Sequence, residues 1–373
     1  MTEQEQHERL MQRTLELART GFIKIAPDPF RGALLAQGDQ IVGEGYMANR
    51  NDLAPELHAL KAAGDKARGA TLYLNLEPAF GARNGINIVE AIIGAGVARV
   101  IVAMRDPNLN ASGRSLRALE QAGIETACGV LEAEALQLNE IYVKDMRTRR
   151  PFVNLLTCMS LDGKTATPMG DSDGLISSAS RDFVHTLRAR YDAVLMGVNA
   201  ILEEDPQLNC KVLRGCDPWR VIVDSQARTP TLAKIFLRSD PDEPRPPVLI
   251  AISYGAHEEH LRSLRHAGAE ILHCPDEDSS SPQVDLSRLM QLLHKRGITS
   301  VLIEGGATIK AAALQSGIVD KVSFIVAPKI IGGQEAKSPV GGEGAMIIPE
   351  ALPITQMQSR PLGSDLLIEG YLA

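Results

Sequence analysis

The stretch Ile303–Leu314, IEGGATIKAAAL, decides how the second half of this chain is read. An apolar run closes on an acid, two glycines follow, and a helix-forming segment begins: strand, turn, helix. Free backbone N–H groups at such a turn suit a dinucleotide phosphate. Alone the signal is weak, because strand–Gly–Gly–helix junctions also arise for packing reasons. Its neighbours extend it. DAVLMG, WRVIVD, PVLIAI and TSVLIEGG are short apolar runs bounded by turn residues, the pattern of buried parallel strands. Helices are predicted near 178–190, 257–267, 286–295 and 307–315. SDPDEPRPP and CPDEDSSSPQ read as solvated loops, and DLLIEGYLA as a final strand.

The first 145 or so residues also alternate helix and strand. A helix is predicted over 3–20, strands at GALLA, TLYLNLEP and RVIVAM, and helices near 53–67, 86–95 and 131–143, giving a sheet packed between helices. The charged segment DMRTRRP ends in proline and marks a boundary near Arg149, hence domains 1–148 and 149–373. A length of 373 residues suits two domains. Hydrophobic residues at 44% suffice for full cores, and a net charge of -7 argues against a broad grip on nucleic acid. The polar start MTEQEQHERLMQRTLELA lacks the apolar core of a signal peptide, and no apolar run approaches a membrane span. Five cysteines without a CxxC pair read as reduced thiols of a cytoplasmic protein.

Longer stretches say more. APDPFRGALLAQGDQIVGEGY, APELHAL, LEPAF, RDPNLNASGRSLRALEQAGIE, RPFVNLLTCMSLDGKTA, LEEDPQLN, VDSQARTP and IEGGATI occur in this order. Together they resemble the bifunctional riboflavin-biosynthesis deaminase/reductase family across nearly the whole chain. The resemblance implies an α/β protein: an N-terminal cytidine-deaminase-like three-layer α/β/α domain, then a dihydrofolate-reductase-like α/β domain that uses NADPH.

Nucleobase deaminases hold zinc with one His and two Cys and shuttle protons with a Glu. On the family pattern the His position is Ala54, and the Cys positions are Ala79 and Ile88. The shuttle glutamate survives as Glu56, Asp28 replaces an asparagine, and Met47 replaces a further histidine. Alanine and isoleucine offer zinc no electron pair. His58 lies two residues past Glu56 and points to another helical face. The resemblance therefore implies a zinc-free pseudo-deaminase, with Glu56 vestigial and the pocket mouth remodelled by Phe80 and Arg83.

In the reductase half the resemblance places cofactor contacts at Cys158, Gly174, Ala200, Glu204, Ser225, Gly306, Ala307, Thr308 and Ile309. Arg228 is a nearby cation suited to a 2′-phosphate. Substrate contacts fall on Ser172, Arg188, Gln207, Lys211 and Glu304, with Glu304 also a candidate catalytic acid. Three departures stand out: Leu156 for a lysine, Gly174 for a tryptophan beside the nicotinamide, and Ala200 for a threonine. They imply NADPH binding with slow or absent reduction of the ordinary riboflavin precursor. Three functions follow: an NADPH-dependent reductase of a small phosphorylated pyrimidine-type compound, a non-catalytic paralogue, or a repurposed enzyme. A homodimer or larger even oligomer is expected through the apolar VDKVSFIVAPKII and DLLIEGYLA runs.

Overall fold

The computed structural model describes residues 2–20, 27–48, 52–83, 85–212, 216–237, 246–276 and 282–372. The chain divides into two compact units between Arg149 and Arg150.

The first unit runs α1 (Glu3–Arg19), β1 (Gly32–Gln37), β2 (Gln40–Tyr46), α2 (Pro55–Ala63), β3 (Thr71–Leu76), β4 (Ala82–Arg83), β5 (Ile86–Asn87), α3 (Ile88–Gly94), β6 (Arg99–Met104), α4 (Arg114–Gln121), β7 (Glu125–Cys128), α5 (Glu132–Leu138) and α6 (Glu140–Thr148). Its main sheet has the order β2-β1-β3-β6-β7. β1 is antiparallel to β2 and β3, while β3, β6 and β7 are parallel. Side chains alternate across each strand, so both faces are apolar. Ala33, Leu72 and Val100 pack with Ala59, Ile92 and Leu119 of α2, α3 and α4. Leu34, Tyr73 and Ile101 pack with Leu10, Leu15 and Ala135 of α1 and α5. The result is the three-layer α/β/α arrangement that the sequence implied. The helix expected over 86–95 starts only at Ile88, where Asn87 caps it by accepting from Val89 and Glu90 N–H groups.

The second unit runs β8 (Phe152–Ser160), α7 (Ser178–Arg190), β9 (Ala193–Gly197), α8 (Val198–Glu204), β10 (Trp219–Val223), β11 (Val248–Ile252), α9 (Glu258–His266), β12 (Ala269–His273), α10 (Leu286–Lys295), β13 (Ser300–Ile303), α11 (Ala307–Gln315), β14 (Lys321–Ala327), β15 (Ile354–Leu362) and β16 (Asp365–Leu372). The nine strands are ordered β12-β11-β10-β9-β13-β8-β14-β16-β15. From β12 to β14 every pairing is parallel; β16 and β15 close the sheet antiparallel. Most of SDPDEPRPP and half of CPDEDSSSPQ lie outside the described residues.

The register of the sheet centre is set by one carboxylate. Asp192, just before β9, accepts through Oδ2 from Thr299 N and Oγ1 at 2.8 Å each and from Ser300 N and Oγ at 3.2 Å each. Its own N–H donates to Ser300 Oγ at 2.9 Å. This clamp fixes the start of β13 beside the start of β9. Asp192→Ala strands several buried donors and is expected to cost about 3 kcal/mol. The chain's single tryptophan, Trp219, lies on the neighbouring β10, so urea unfolding followed by its fluorescence reads this unit directly. An unchanged midpoint would show that the clamp is dispensable.

Candidate functional site

The chain runs outward from β9 through β10, β11 and β12, then returns to insert β13 between β9 and β8. Such a reversal opens a crevice at the carboxyl ends of the strands. Two adjoining cavities occupy it. One, of about 440 Å³, is lined by Gly197, Asn199, Ala200, Val223, Ser225, Arg228, Gly306, Thr308, Ile309 and Ala312 among others. The other, of about 480 Å³, is lined by residues including Leu156, Cys158, Ser172, Arg188, Glu204, Glu304, Ala307 and Lys310. Asn199, Ala200, Gly306 and Thr308 belong to both.

The turn between β13 and α11 separates them. Gly305 has φ +98°, and a Cβ there would lie 2.7 Å from Met196 Cγ, so both backbone and space demand glycine. Gly306 caps α11 without a side-chain hydrogen bond. The first-turn N–H groups thus border the cavities with no side-chain acceptor, at the positive end of the helix.

The electrostatics of the second cavity centre on a buried pair. Arg188 donates through Nε to Glu304 Oε1 at 2.8 Å and through Nη2 to Oε2 at 2.6 Å, a bidentate fork. Glu304 is held by its own N–H on Leu195 O at 2.9 Å. Burial raises the Glu204 carboxyl above its ordinary range, with the Glu203 charge adding to it. Burial pushes the Cys158 thiol up to about 12. Burial lowers the Lys310 ammonium to about 8, against the opposing pull of Cys158, Glu304 and Glu204.

The structure thus gathers most of the expected residues. Ala200, Ser225, Gly306, Thr308 and Ile309 line the first cavity, and Cys158, Ser172, Arg188, Glu204, Glu304 and Ala307 line the second. Arg228 also borders the first, where its Nη2 donates to Asn199 Oδ1 at 2.9 Å. Gln207, Lys211 and Gly174 line neither. Lys211 is exposed, and Gln207 accepts from Asn209 at 3.2 Å. Gly174 has φ +66°, and its carbonyl accepts from Lys329 Nζ. A tryptophan at that backbone angle would be strained. Sequence reasoning passed over Lys310, because a lone lysine in a helix reads by default as a solvated residue.

In the first unit, Ala54 and Ile88 are buried within the apolar core. Met47 is buried too, and Ala79 is half-buried. Glu56, 2% exposed, lies 3.7 Å from Arg31 Nη1, and its Oε2 has no hydrogen-bond partner among the described residues. Arg31 also donates from Nη1 to Glu77 O at 3.1 Å. Among the described residues no group of three or more His, Cys, Asp or Glu side chains could hold a metal ion. His58 is turned to Asp52, with Nε2 3.0 Å from Oδ1. Phe80 lies under the Arg114 guanidinium, 4.2 Å from the ring centroid; the Arg83 side chain lies outside the described residues.

Residues 151–368 match the family model described as the RibD C-terminal domain. The chain belongs to the RibD family of riboflavin biosynthesis proteins. It is 36% identical to the riboflavin biosynthesis protein RibD of Synechocystis, over 97% of this chain and 95% of that one. Acinetobacter baumannii RibD, 32% identical, superposes over the full length of both chains with a TM-score of 0.83. A Thermotoga maritima diaminohydroxyphosphoribosylaminopyrimidine deaminase/5-amino-6-(5-phosphoribosylamino)uracil reductase, 28% identical, does so over both full chains with a TM-score of 0.81. RibD reductases depend on NADPH, and RibD deaminase domains usually bind zinc. The donor set at Ala54, Ala79 and Ile88 does not fit that zinc site. No helix among the described residues is long and apolar enough to cross a membrane.

The Lys310 shift gives a test of this RibD cleft. Below pH 8 both folded and unfolded chains hold the proton, and burial of the ammonium penalises the fold in full. Between about 8 and 10.5 the unfolded chain alone keeps it, so stability rises with pH. Lys310→Met lacks this titration and should be the more stable protein at neutral pH. The gap between the two urea midpoints is expected to close from pH 8 to 10; parallel curves would rule the burial out.

Proposed function

We propose that this chain is an NADPH-dependent reductase of a phosphoribosylaminopyrimidine, with a deaminase-like half that holds no zinc and does not deaminate. One observation carries the reading. Two cavities of dinucleotide-half and sugar-phosphate size meet at the uncapped start of α11. Residues 1–148 then serve as scaffold and 149–373 carry the chemistry.

NADPH, when bound, supplies the hydride. The first-turn N–H groups of α11 would hold its phosphates. Ser225 and Arg228 lie in the first cavity, where the Arg228 fork suits a 2′-phosphate. Ser172, Arg188 and Glu304 lie in the second, where a sugar phosphate and a pyrimidine would sit. Both cavities open at the same strand ends, so reductant and substrate meet within one crevice. In the first unit the Arg31 guanidinium supports Glu56 from a position where no metal ligand remains. A chain of this kind needs a separate deaminase to supply its substrate.

The rival reading is a binding protein without turnover, and it rests on Leu156, which gives the second cavity an apolar wall where the family has a lysine. Nicotinamide fluorescence and NADPH oxidation with 5-amino-6-(5-phosphoribosylamino)uracil separate the two. Binding with slow turnover is expected, since Leu156 and Gly174 stand where the family resemblance places a lysine and a tryptophan, and Arg228→Ala should weaken NADPH roughly tenfold. Binding without oxidation would favour the rival; no binding at millimolar NADPH would end the reductase reading and favour a non-catalytic or repurposed protein. Zinc near one per chain by plasma emission would overturn the zinc-free assignment.

We also propose a homodimer built through the second unit. β14 is an internal strand, which leaves the β15 edge and the exposed Met346, Ile347, Ile348, Ile354 and Met357 as the surface to bury. Light scattering at micromolar concentration should give twice the chain mass of 40.2 kDa. The five free cysteines suit a cytoplasmic setting, which cell fractionation checks.

A further inference from the structure

Lys310 is a charged group of the crevice that the proposed function does not use. It is the fourth residue of α11 and lines the second cavity with Leu156 and Cys158 of β8, Glu204 of α8, and Glu304. It is 4% exposed. The other cations on this cavity are engaged: Arg188 with Glu304, and Lys337 with Glu203 at 2.6 Å. Among the described residues, nothing accepts a hydrogen bond or forms an ion pair with Lys310. Two penalties act on it. Burial disfavours an ammonium, and the first half of a helix disfavours a cation. A lysine kept there with its hydrogen bonds unspent is set for an oxygen that arrives with a ligand.

Resting on the reductase reading, we propose that Lys310 meets the sugar end of the substrate and gives the ring oxygen its proton during reduction. When the hydride reaches the anomeric carbon, the bond from that carbon to the ring oxygen breaks. Its electron pair stays on oxygen, which must gain a proton to become the hydroxyl of the open ribityl chain. The Lys310 ammonium supplies that proton, and water restores it. The sum is ribosylamine, NADPH and one proton giving ribitylamine and NADP⁺. Cys158 stays protonated beside it, and Glu204 and Glu304 keep the ammonium from shedding its charge too early. The apolar wall of Leu156 keeps water off the same corner.

The test compares wild type, Lys310→Met and Lys310→Arg as full chains. NADPH affinity should stay within about threefold in both variants, while Lys310→Met loses kcat by about a hundredfold or more, as removal of a general acid does. Wild-type kcat should fall as pH rises past about 8, and Lys310→Arg should carry partial activity without that fall. A second readout needs no turnover. Pyridoxal 5′-phosphate with borohydride at pH 8 should label Lys310 early, and ribose 5-phosphate should slow that labelling, both read by peptide mass spectrometry. Lys310→Met with wild-type kcat would overturn the assignment. If wild type fails to oxidise NADPH, the reductase reading fails for this substrate and labelling decides: protection by ribose 5-phosphate keeps Lys310 at a sugar-phosphate site, and its absence removes it.

Discussion

The Asp192 carboxylate holds β13 in the centre of a sheet whose chain order would otherwise leave β9 beside β8. Everything in the crevice follows from that insertion. β13 starts nearly level with β9 and ends with Ile303 opposite Leu195, two residues before β9 ends, so Glu304 emerges where its N–H reaches Leu195 O. The next residue must turn at once, against Met196, and only glycine can. α11 then starts with bare N–H groups at the meeting of two cavities. A structural acid at one end of the strands thus sets the position of Glu304 at the other.

The first unit packs apolar residues at the positions where the family resemblance would place metal donors. Ala54 and Ile88 lie in the hydrophobic core, where a polar side chain would need a partner. Glu56 is buried, with Arg31 Nη1 3.7 Å away. The pairing is loose at 3.7 Å and leaves Glu56 Oε2 without a partner among the described residues. Such a site tolerates its charges without gaining much from them. The fold is held by apolar clusters on both faces of its sheet.

Much of the architecture was legible because buried parallel strands and their helices carry undiluted apolar runs. β9, β10, β11 and β13 announce themselves in this way. β2, β7, β12 and β15 do not: their strands are half-exposed or short, and QIVGEGY and ITQMQSRPL are broken by glycine or by polar residues. In the site, the glycine turn was readable because its geometry admits no substitute. Gln207 and Lys211 were assigned by position along the chain, and the segment after α8 carries them away from both cavities. Lys310 was invisible for the opposite reason: a charged residue is assumed to face water, and only the packing of α11 buries this one. Gly174 reads as a simple loss in sequence, yet its backbone has a conformation that suits glycine.

The Arg188–Glu304 fork has a consequence for selectivity. An anion entering the second cavity competes with a carboxylate that already holds the guanidinium at two points. Affinity for a bare phosphate is therefore a difference between two similar attractions, and small. A molecule that offers an anion to Arg188 and, at the right distance, a hydrogen-bond donor to Glu304 exchanges one satisfied pair for two. The crevice is in this sense a lock with two wards, in which a ligand with one feature leaves the original pair closed.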